Sequence, residues 1–133
     1  MRSWRKVLAV AVVALIMALV GYIGYLWASY IDETVVSGTA YGFTIGTSKQ
    51  QTLKLAGNLD GHPQAVVYVS YGPRAGDNFS VAPLPESLKR LQAHDQWDLL
   101  LDGEAEFFNS VRLTFANGRL VEIYRHRQRF ELP

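Results

Sequence analysis

The 133-residue chain contains no cysteine. Disulfide frameworks, cysteine-based zinc sites, thiol nucleophiles and lipids attached to a cysteine side chain are therefore excluded. The chain also lacks an excess of charge of either sign, because thirteen Lys and Arg stand against twelve Asp and Glu, for a net charge of +1. This near-neutral balance gives no support to nucleic-acid binding, so no nucleic acid is expected among the partners.

Sequence motifs for catalysis or cofactor binding are missing as well. The three histidines, His62, His94 and His126, are isolated, and no H-x-x-x-H pair, G-x-S-x-G elbow, phosphate loop or dinucleotide fingerprint is present. Without cysteine, the candidate nucleophiles are serines and threonines that have no recognisable activating partner. We therefore predict a protein that is not an enzyme and that has no cofactor and no metal site.

The chain does contain one long uncharged run, from Val7 to Ala28. A helix of that length extends about 33 Å, which is enough to cross a hydrocarbon core about 30 Å thick. Three basic residues precede the run and two acidic residues follow it closely, an asymmetry that predicts a cytoplasmic N-terminus at residues 1–6. We predict a transmembrane helix at residues 7–28, through which the protein contacts the lipid bilayer.

A cleaved signal peptide is the alternative interpretation of this run, because a basic start before an apolar segment is also typical of secretory signals. The run is longer than the usual core of a signal, which has roughly 7 to 15 residues. Bulky Tyr25, Leu26 and Trp27 also stand where a small-residue cleavage site is expected. These two features favour a retained anchor, and under either interpretation the residues that follow lie outside the cytoplasm.

The remainder of the chain is interpreted as a juxtamembrane linker at residues 29–40 and one small domain at residues 41–133. Ser48 and Gln51 form a capping box that predicts the start of a short helix, and Gly57 supplies its C′ stop. A second short helix is predicted at residues 85–93 from leucines at helical spacing.

Strands are predicted around these two helices. Residues 64–71 are rich in β-branched and aromatic side chains and favour a strand, whereas residues 72–83 are interpreted as a loop. Alternation of apolar and acidic side chains from Trp97 to Leu101 predicts a further strand.

The last predicted element is a hairpin around Asn117-Gly118, which separates two alternating runs. A strict two-residue loop would place Leu113 opposite Glu122 and so mix apolar with charged side chains. A three-residue loop with Gly118 left-handed would place Leu113 opposite Val121 and keep the two kinds apart. We therefore predict the three-residue register.

This order of elements is similar to that of the BamE/SmpA-OmlA family, over residues 41–124. The resemblance is carried by Ile45-Gly46-Thr47-Ser48, by Trp97 and by the Val111–Ile123 hairpin. It implies an α+β fold, with two short helices packed on a three- or four-stranded antiparallel sheet, related to the β-lactamase inhibitor protein. It also implies a bacterial envelope location. Outer-membrane members carry a lipidated N-terminal cysteine that this chain lacks, so we predict a single-pass inner-membrane protein whose domain lies in the periplasm.

Two charged segments are candidate partner-binding surfaces. Each has a plain alternative, which is a solvated strand edge and turn for the acidic segment and an edge strand protected by charge from mispairing for the basic one. On a continuing strand the arginines would point to one side, where they could contact lipid head groups, an anionic glycan or an acidic protein. The acidic segment contains Asp95, Asp98, Asp102, Glu104 and Glu106, and the basic tail contains Arg125, Arg127 and Arg129.

These observations together predict a membrane-anchored periplasmic module that binds another protein in or near the periplasmic face of the membrane. The resemblance implies an accessory of an envelope complex. The alternative is an immunity or inhibitor protein that neutralises a periplasmic toxin or enzyme, to which the inhibitor-like fold and the acidic segment lend weight. In either case the anchor would keep the module at high effective concentration beside its partner.

Overall fold

A computed structural model describes residues 2–103 and 109–128 of the chain. The chain divides into two units, the first of which contains helix α1 (Arg2–Ser29), whereas the second spans Ile31–Arg127. From Ser3 to Ser29, α1 is long and apolar enough to span a membrane or to act as a signal sequence. The predicted apolar helix at residues 7–28 is therefore present, and it extends beyond the uncharged run to include Arg5 and Lys6.

The second unit is built on an antiparallel sheet of six strands, which confirms the α+β class. The strands lie in the order β1-β8-β7-β6-β4-β5, and a separate two-stranded ribbon is formed by β2 and β3. The predicted count of three or four strands is wrong, because both edge strands, β1 and β5, lie in segments interpreted as irregular. The strands are β1 (Ile31–Val35), β2 (Thr39–Ala40), β3 (Phe43–Thr44), β4 (Val66–Ser70), β5 (Asn78–Val81), β6 (Gln96–Leu100), β7 (Asn109–Ala116) and β8 (Arg119–Arg127).

Strand β1 corrects the predicted boundary of the domain. It lies inside the predicted linker at residues 29–40 and pairs with β8 from Ile31 opposite Arg127 to Val35 opposite Ile123. The folded unit therefore begins at Ile31 and not at residue 41. The three central residues of β1 are exposed, so the strand has a polar sequence that resembles a linker, while its backbone completes the sheet edge.

Two helical segments pack on one face of the sheet. Helix α2 (Lys49–Ala56) begins as predicted, with the Ser48 hydroxyl accepting a hydrogen bond from the backbone N–H of Gln51 at 3.2 Å. The second segment is a 3₁₀ turn (Pro85–Ser87) that continues into helix α3 (Leu88–Leu91), and it is therefore less regular than the single helix predicted there.

Gly57 ends α2 for a different reason from the one predicted. Its φ of −73° is in the right-handed region, so no left-handed stop is formed. A Cβ at this position would lie only 2.5 Å from the carbonyl oxygen of Pro83. Glycine is therefore required here because the backbone before the 3₁₀ turn approaches the end of α2 closely.

The hydrophobic core lies between these helical segments and the sheet, and Trp97 on β6 is its largest fully buried side chain. The indole nitrogen of Trp97 donates to the carbonyl oxygens of Leu91 and His94, at 3.2 and 3.1 Å, so its one polar atom is satisfied. Its ring centroid lies 4.5 Å from that of Phe115 on β7. The core cluster consists of Phe43, Leu53, Ala56, Ala65, Val67, Val69, Leu91, Trp97, Leu99, Leu101, Val111, Leu113, Phe115, Leu120 and Ile123.

The β7–β8 hairpin differs from both registers considered in the sequence. Its loop has two residues, Asn117 and Gly118, with φ values of 53° and 75°, as expected for a type I′ turn. The register then shifts by one residue at a bulge that leaves Val121 without a partner, so Leu113 lies opposite Ile123. A bulge, and not a longer loop, thus places Leu113 opposite an apolar side chain, whereas Val111 lies opposite Arg125 and the predicted separation of apolar from charged residues is incomplete.

Candidate functional site

The three acidic residues of the predicted surface that the structure describes each have a different partner. Asp95 accepts from the Lys49 ammonium at 2.8 Å, and Asp102 accepts from the side-chain amide of Asn109 at 2.8 Å. Asp98 is buried within β6. The other two predicted acids, Glu104 and Glu106, lie outside the described residues. Within residues 2–103 and 109–128, no group of three or more acidic or histidine side chains is placed to hold a metal ion.

Asp98 belongs instead to a row of side chains that crosses the sheet on the face opposite the core. In register, Tyr68 on β4 lies opposite Asp98, Asp98 opposite Arg112 on β7, and Arg112 opposite Tyr124 on β8. Because directly opposite residues of an antiparallel sheet project to the same side, these four side chains share one face. We call this row, Tyr68, Asp98, Arg112 and Tyr124, the polar face.

An ion pair occupies the centre of the polar face. Arg112 Nε donates to Asp98 Oδ1 at 2.8 Å, and Arg112 Nη2 to Asp98 Oδ2 at 3.4 Å, so the guanidinium meets the carboxylate side-on. The side chain of Asp98 is only 10% exposed, whereas that of Arg112 is 46% exposed. The hydrogen bond to Asp98 raises the pKa of Arg112 above its ordinary value. Sequence reasoning missed Arg112, because its partner is set by the register between β6 and β7.

Strand β8 contributes aromatic side chains to the same side of the sheet. The rings of Tyr124 and His126 are stacked, with their centroids 6.3 Å apart and their planes at 11°. Both side chains are half-buried. The polar face therefore continues along β8 as an aromatic surface.

The predicted arginine alternation is seen on the other side of β8. Arg125 and Arg127 both line a cleft of about 560 Å³, which we call the basic cleft. The alternative interpretation of the basic segment as an edge strand is wrong for β8, because β8 lies between β7 and β1. The third predicted arginine, Arg129, lies outside the described residues. The basic cleft is lined by Ile31, Tyr41, Gly42, Asn58, Leu59, Asp60, His62, Leu101, Val111, Arg125 and Arg127.

Arg125 is almost completely enclosed, with 7% of its surface exposed. Its Nη1 donates to the carbonyl oxygens of His126 at 2.6 Å and Ser110 at 3.3 Å, and its Nη2 donates to Asn109 Oδ1 at 2.6 Å. Asn109 in turn donates to Asp102, so the structure connects Asp102 and Arg125 through one amide. Burial lowers the pKa of Arg125, and the like charge of Arg127 lowers it further.

Tyr41 forms a wall of the basic cleft from a strained position. Its φ is 54° and that of Gly42 is 86°, so the two residues form the tight turn between β2 and β3. The Tyr41 hydroxyl donates to the Glu33 carboxylate, and this hydrogen bond raises the pKa of Tyr41 above 10.0. The Arg125 guanidinium carbon lies 5.9 Å from the centroid of the Tyr41 ring. Backbone strain in a bulky residue is most often retained where the side chain is needed.

Comparison with known proteins adds no relative, since no family model, curated protein or solved structure matches this chain. The resemblance to the BamE/SmpA-OmlA family stays a prediction. The polar face and the basic cleft are therefore the features on which a functional proposal rests.

Proposed function

We propose that this protein is a membrane-anchored module that binds another protein through its polar face. The observation that carries this proposal is the row formed by Tyr68, Asp98, Arg112 and Tyr124. Tyrosine and arginine are enriched at the centres of protein interfaces, because they combine a large contact area with hydrogen-bonding groups. Among the described residues, no member of the core cluster lies on this face.

The apolar helix α1 supports a role beside a membrane. We propose that it spans the bacterial inner membrane with the N-terminus in the cytoplasm and the domain in the periplasm. A tethered domain meets membrane partners at high effective concentration, so a modest intrinsic affinity is enough. The predicted resemblance favours an accessory of an envelope complex as the specific form of this function.

The binding surface can be tested by crosslinking and pull-down from detergent-solubilised membranes. Thr114 is half-buried on β7 and lies opposite Glu122, so Thr114→Arg adds a bulky side chain beside Arg112 that can pair with that glutamate. We expect Thr114→Arg to lose the partner recovered by the unchanged protein. Gln51→Arg adds the same side chain and charge on the exposed side of α2 and should keep the partner. Equal recovery by both variants would contradict binding through the polar face.

The identity of the recovered protein separates the two forms of the proposal. Recovery of a standing membrane complex, together with an envelope defect when the gene is deleted, supports the accessory role. A single stoichiometric partner, with a growth defect only when that partner is produced, would instead identify an immunity or inhibitor protein.

The proposed orientation has its own test. Alkaline phosphatase fused after Pro133 should be active if the domain lies in the periplasm, because this enzyme requires an oxidising compartment to form its disulfides. A reporter at the same position that is active only in the cytoplasm would contradict the orientation.

A further inference from the structure

We propose that the basic cleft is a binding site for a carboxylate group, which Arg125 holds side-on through Nε and Nη2. This inference does not depend on the proposed function. It rests on the hydrogen bonds of Arg125, on a second arginine of the same molecule and on the charge and polarity of the cleft.

Not every N–H donor of Arg125 has an acceptor among the described residues. A guanidinium has five N–H groups, and three oxygens of the described residues accept from Arg125. None of these three accepts from Nε. In the described part of the chain no carboxylate lies within ion-pair distance of Arg125, since the two ion pairs found there are formed by Lys49 and Arg112. Nε and one of the two hydrogens of Nη2 therefore have no acceptor among these three oxygens.

Arg112 of the same molecule shows what the Nε and Nη2 donors of a guanidinium bind. Arg112 uses Nε and Nη2 to hold the two oxygens of Asp98. This planar, two-point geometry fits a carboxylate. The remaining Nε and Nη2 hydrogens of Arg125 are donors of the same kind as those with which Arg112 binds Asp98.

The described residues that line the cleft carry more basic than acidic groups. Arg125 and Arg127 contribute guanidinium groups, Asp60 contributes an exposed carboxylate, and His62 is half-buried. Glu33, which lies opposite Arg125 in register, accepts from Tyr41. Burial and the neighbouring Arg127 both disfavour the charged form of Arg125, so an incoming anion relieves an existing electrostatic cost.

The walls and the volume of the cleft suit a small ligand. Leu101 and Val111, which line the cleft, are nearly fully buried, so a carboxylate beside them is partly removed from water and its attraction to a guanidinium is strengthened. A volume of about 560 Å³ lies within the range typical of small-molecule sites, roughly 300 to 1,000 Å³. The ligand is therefore a small organic acid or a carboxylate side chain that a partner inserts.

Isothermal titration calorimetry on the detergent-solubilised full chain, with succinate as the probe, tests the site. We expect one succinate to bind per chain with a dissociation constant in the millimolar range or below. Succinamide has the same shape without the charge and should not bind. Inorganic phosphate should bind more weakly than succinate, and tighter binding of phosphate would overturn the assignment to a carboxylate.

Two charge-conserving variants separate geometry from charge. Arg125→Lys keeps the positive charge but removes the two-donor edge, so succinate affinity should fall about tenfold or more. Arg127→Lys should reduce affinity less, and the control Arg74→Gln, on an exposed loop, should leave it unchanged. An unchanged affinity in Arg125→Lys would overturn the proposal. If that variant does not fold, His62→Trp, which places a larger side chain in the lining of the cleft, must abolish binding for the proposal to stand.

A competition experiment identifies the source of the carboxylate. Succinate added during pull-down should release the partner if the partner supplies the carboxylate. If succinate binds and the partner is retained, the ligand is a free organic acid. The partner is then ruled out as the source of the carboxylate. Because succinate binding is measured on the protein alone, its failure is distinguishable from failure to recover any partner.

Discussion

The two residues of the Asp98–Arg112 pair are buried to different extents, so removing one should destabilise the protein more than removing the other. Removal of Arg112 leaves a buried carboxylate without its partner, whereas removal of Asp98 leaves a half-exposed guanidinium that water can solvate. We therefore predict that Arg112→Ala lowers the free energy of unfolding by about 2 kcal/mol and Asp98→Ala by about 1 kcal/mol.

Chemical denaturation of both variants and of the double variant measures this difference. The double variant should be less destabilised than the sum of the two single variants, because no charged group is left without its partner. Equal losses in the two single variants would show that Asp98 is solvated after Arg112 is removed.

The Tyr41–Glu33 hydrogen bond predicts a dependence of stability on alkaline pH. The folded-state pKa of Tyr41 is raised, so its contribution is fully present below the ordinary value of 10.0 and is lost as the pH rises through the folded-state value. Tyr41→Phe should therefore unfold at a lower temperature than the unchanged protein near neutral pH. The difference should diminish above pH 10.0. A difference that is constant across this range would rule out the hydrogen bond as its origin.

At the scale of elements, α2 depends on its N-cap residue, Ser48. Ser48 caps the helix through its hydroxyl, and Thr52 adds a bond from its own hydroxyl to the Ser48 carbonyl oxygen at 2.8 Å. Ser48→Ala removes the cap and should cost about 1 kcal/mol of unfolding free energy. Ser70→Ala, at an exposed position on β4, is the matched control and should change stability by less than about 0.5 kcal/mol. Equal effects would show that the cap contributes nothing.

The elements that were predicted well from the sequence are those whose signal lies within a few neighbouring residues. The cap at Ser48 and the turn at Asn117-Gly118 are both chosen by residues within a few positions of each other. Edge strand β1 gave no such signal, because an edge needs only backbone pairing and the exposed central side chains of β1 are polar. Edge strand β5 has only four residues, all half-buried, so its burial shows no alternation. The bulge at Val121 could not be predicted from the sequence either, because it is defined by how β8 pairs with β7.

The two candidate surfaces were predictable to different degrees. Arg125 and Arg127 alternate visibly in the sequence, so their common direction could be predicted. The cleft that they line could not, because Tyr41, Asp60 and His62 reach it from distant parts of the chain. The same holds for the polar face, which combines residues of β4, β6, β7 and β8.

At the scale of the whole molecule, the boundary at Ile31 can be tested by truncation. A chain that begins at Ile31 keeps all six strands and should fold cooperatively without α1. A chain that begins at Tyr41 lacks the five residue pairs of β1 with β8, so β8 becomes an exposed edge. We expect the shorter chain to unfold at lower denaturant concentration and to self-associate in size-exclusion chromatography. If the two chains are equally stable and equally monodisperse, the predicted linker at residues 29–40 would be supported instead.

The pairing of β1 with β8 also sets an order of events during translation. Strand β1 leaves the ribosome first among the strands, and its partner β8 leaves last. Until β8 is synthesised, β1 has no neighbour in the sheet, and bringing the two strands together closes the longest loop in the unit. A nascent chain that stops before β8 therefore keeps an unpaired strand directly after its apolar helix, which makes incomplete products recognisable to proteases and chaperones.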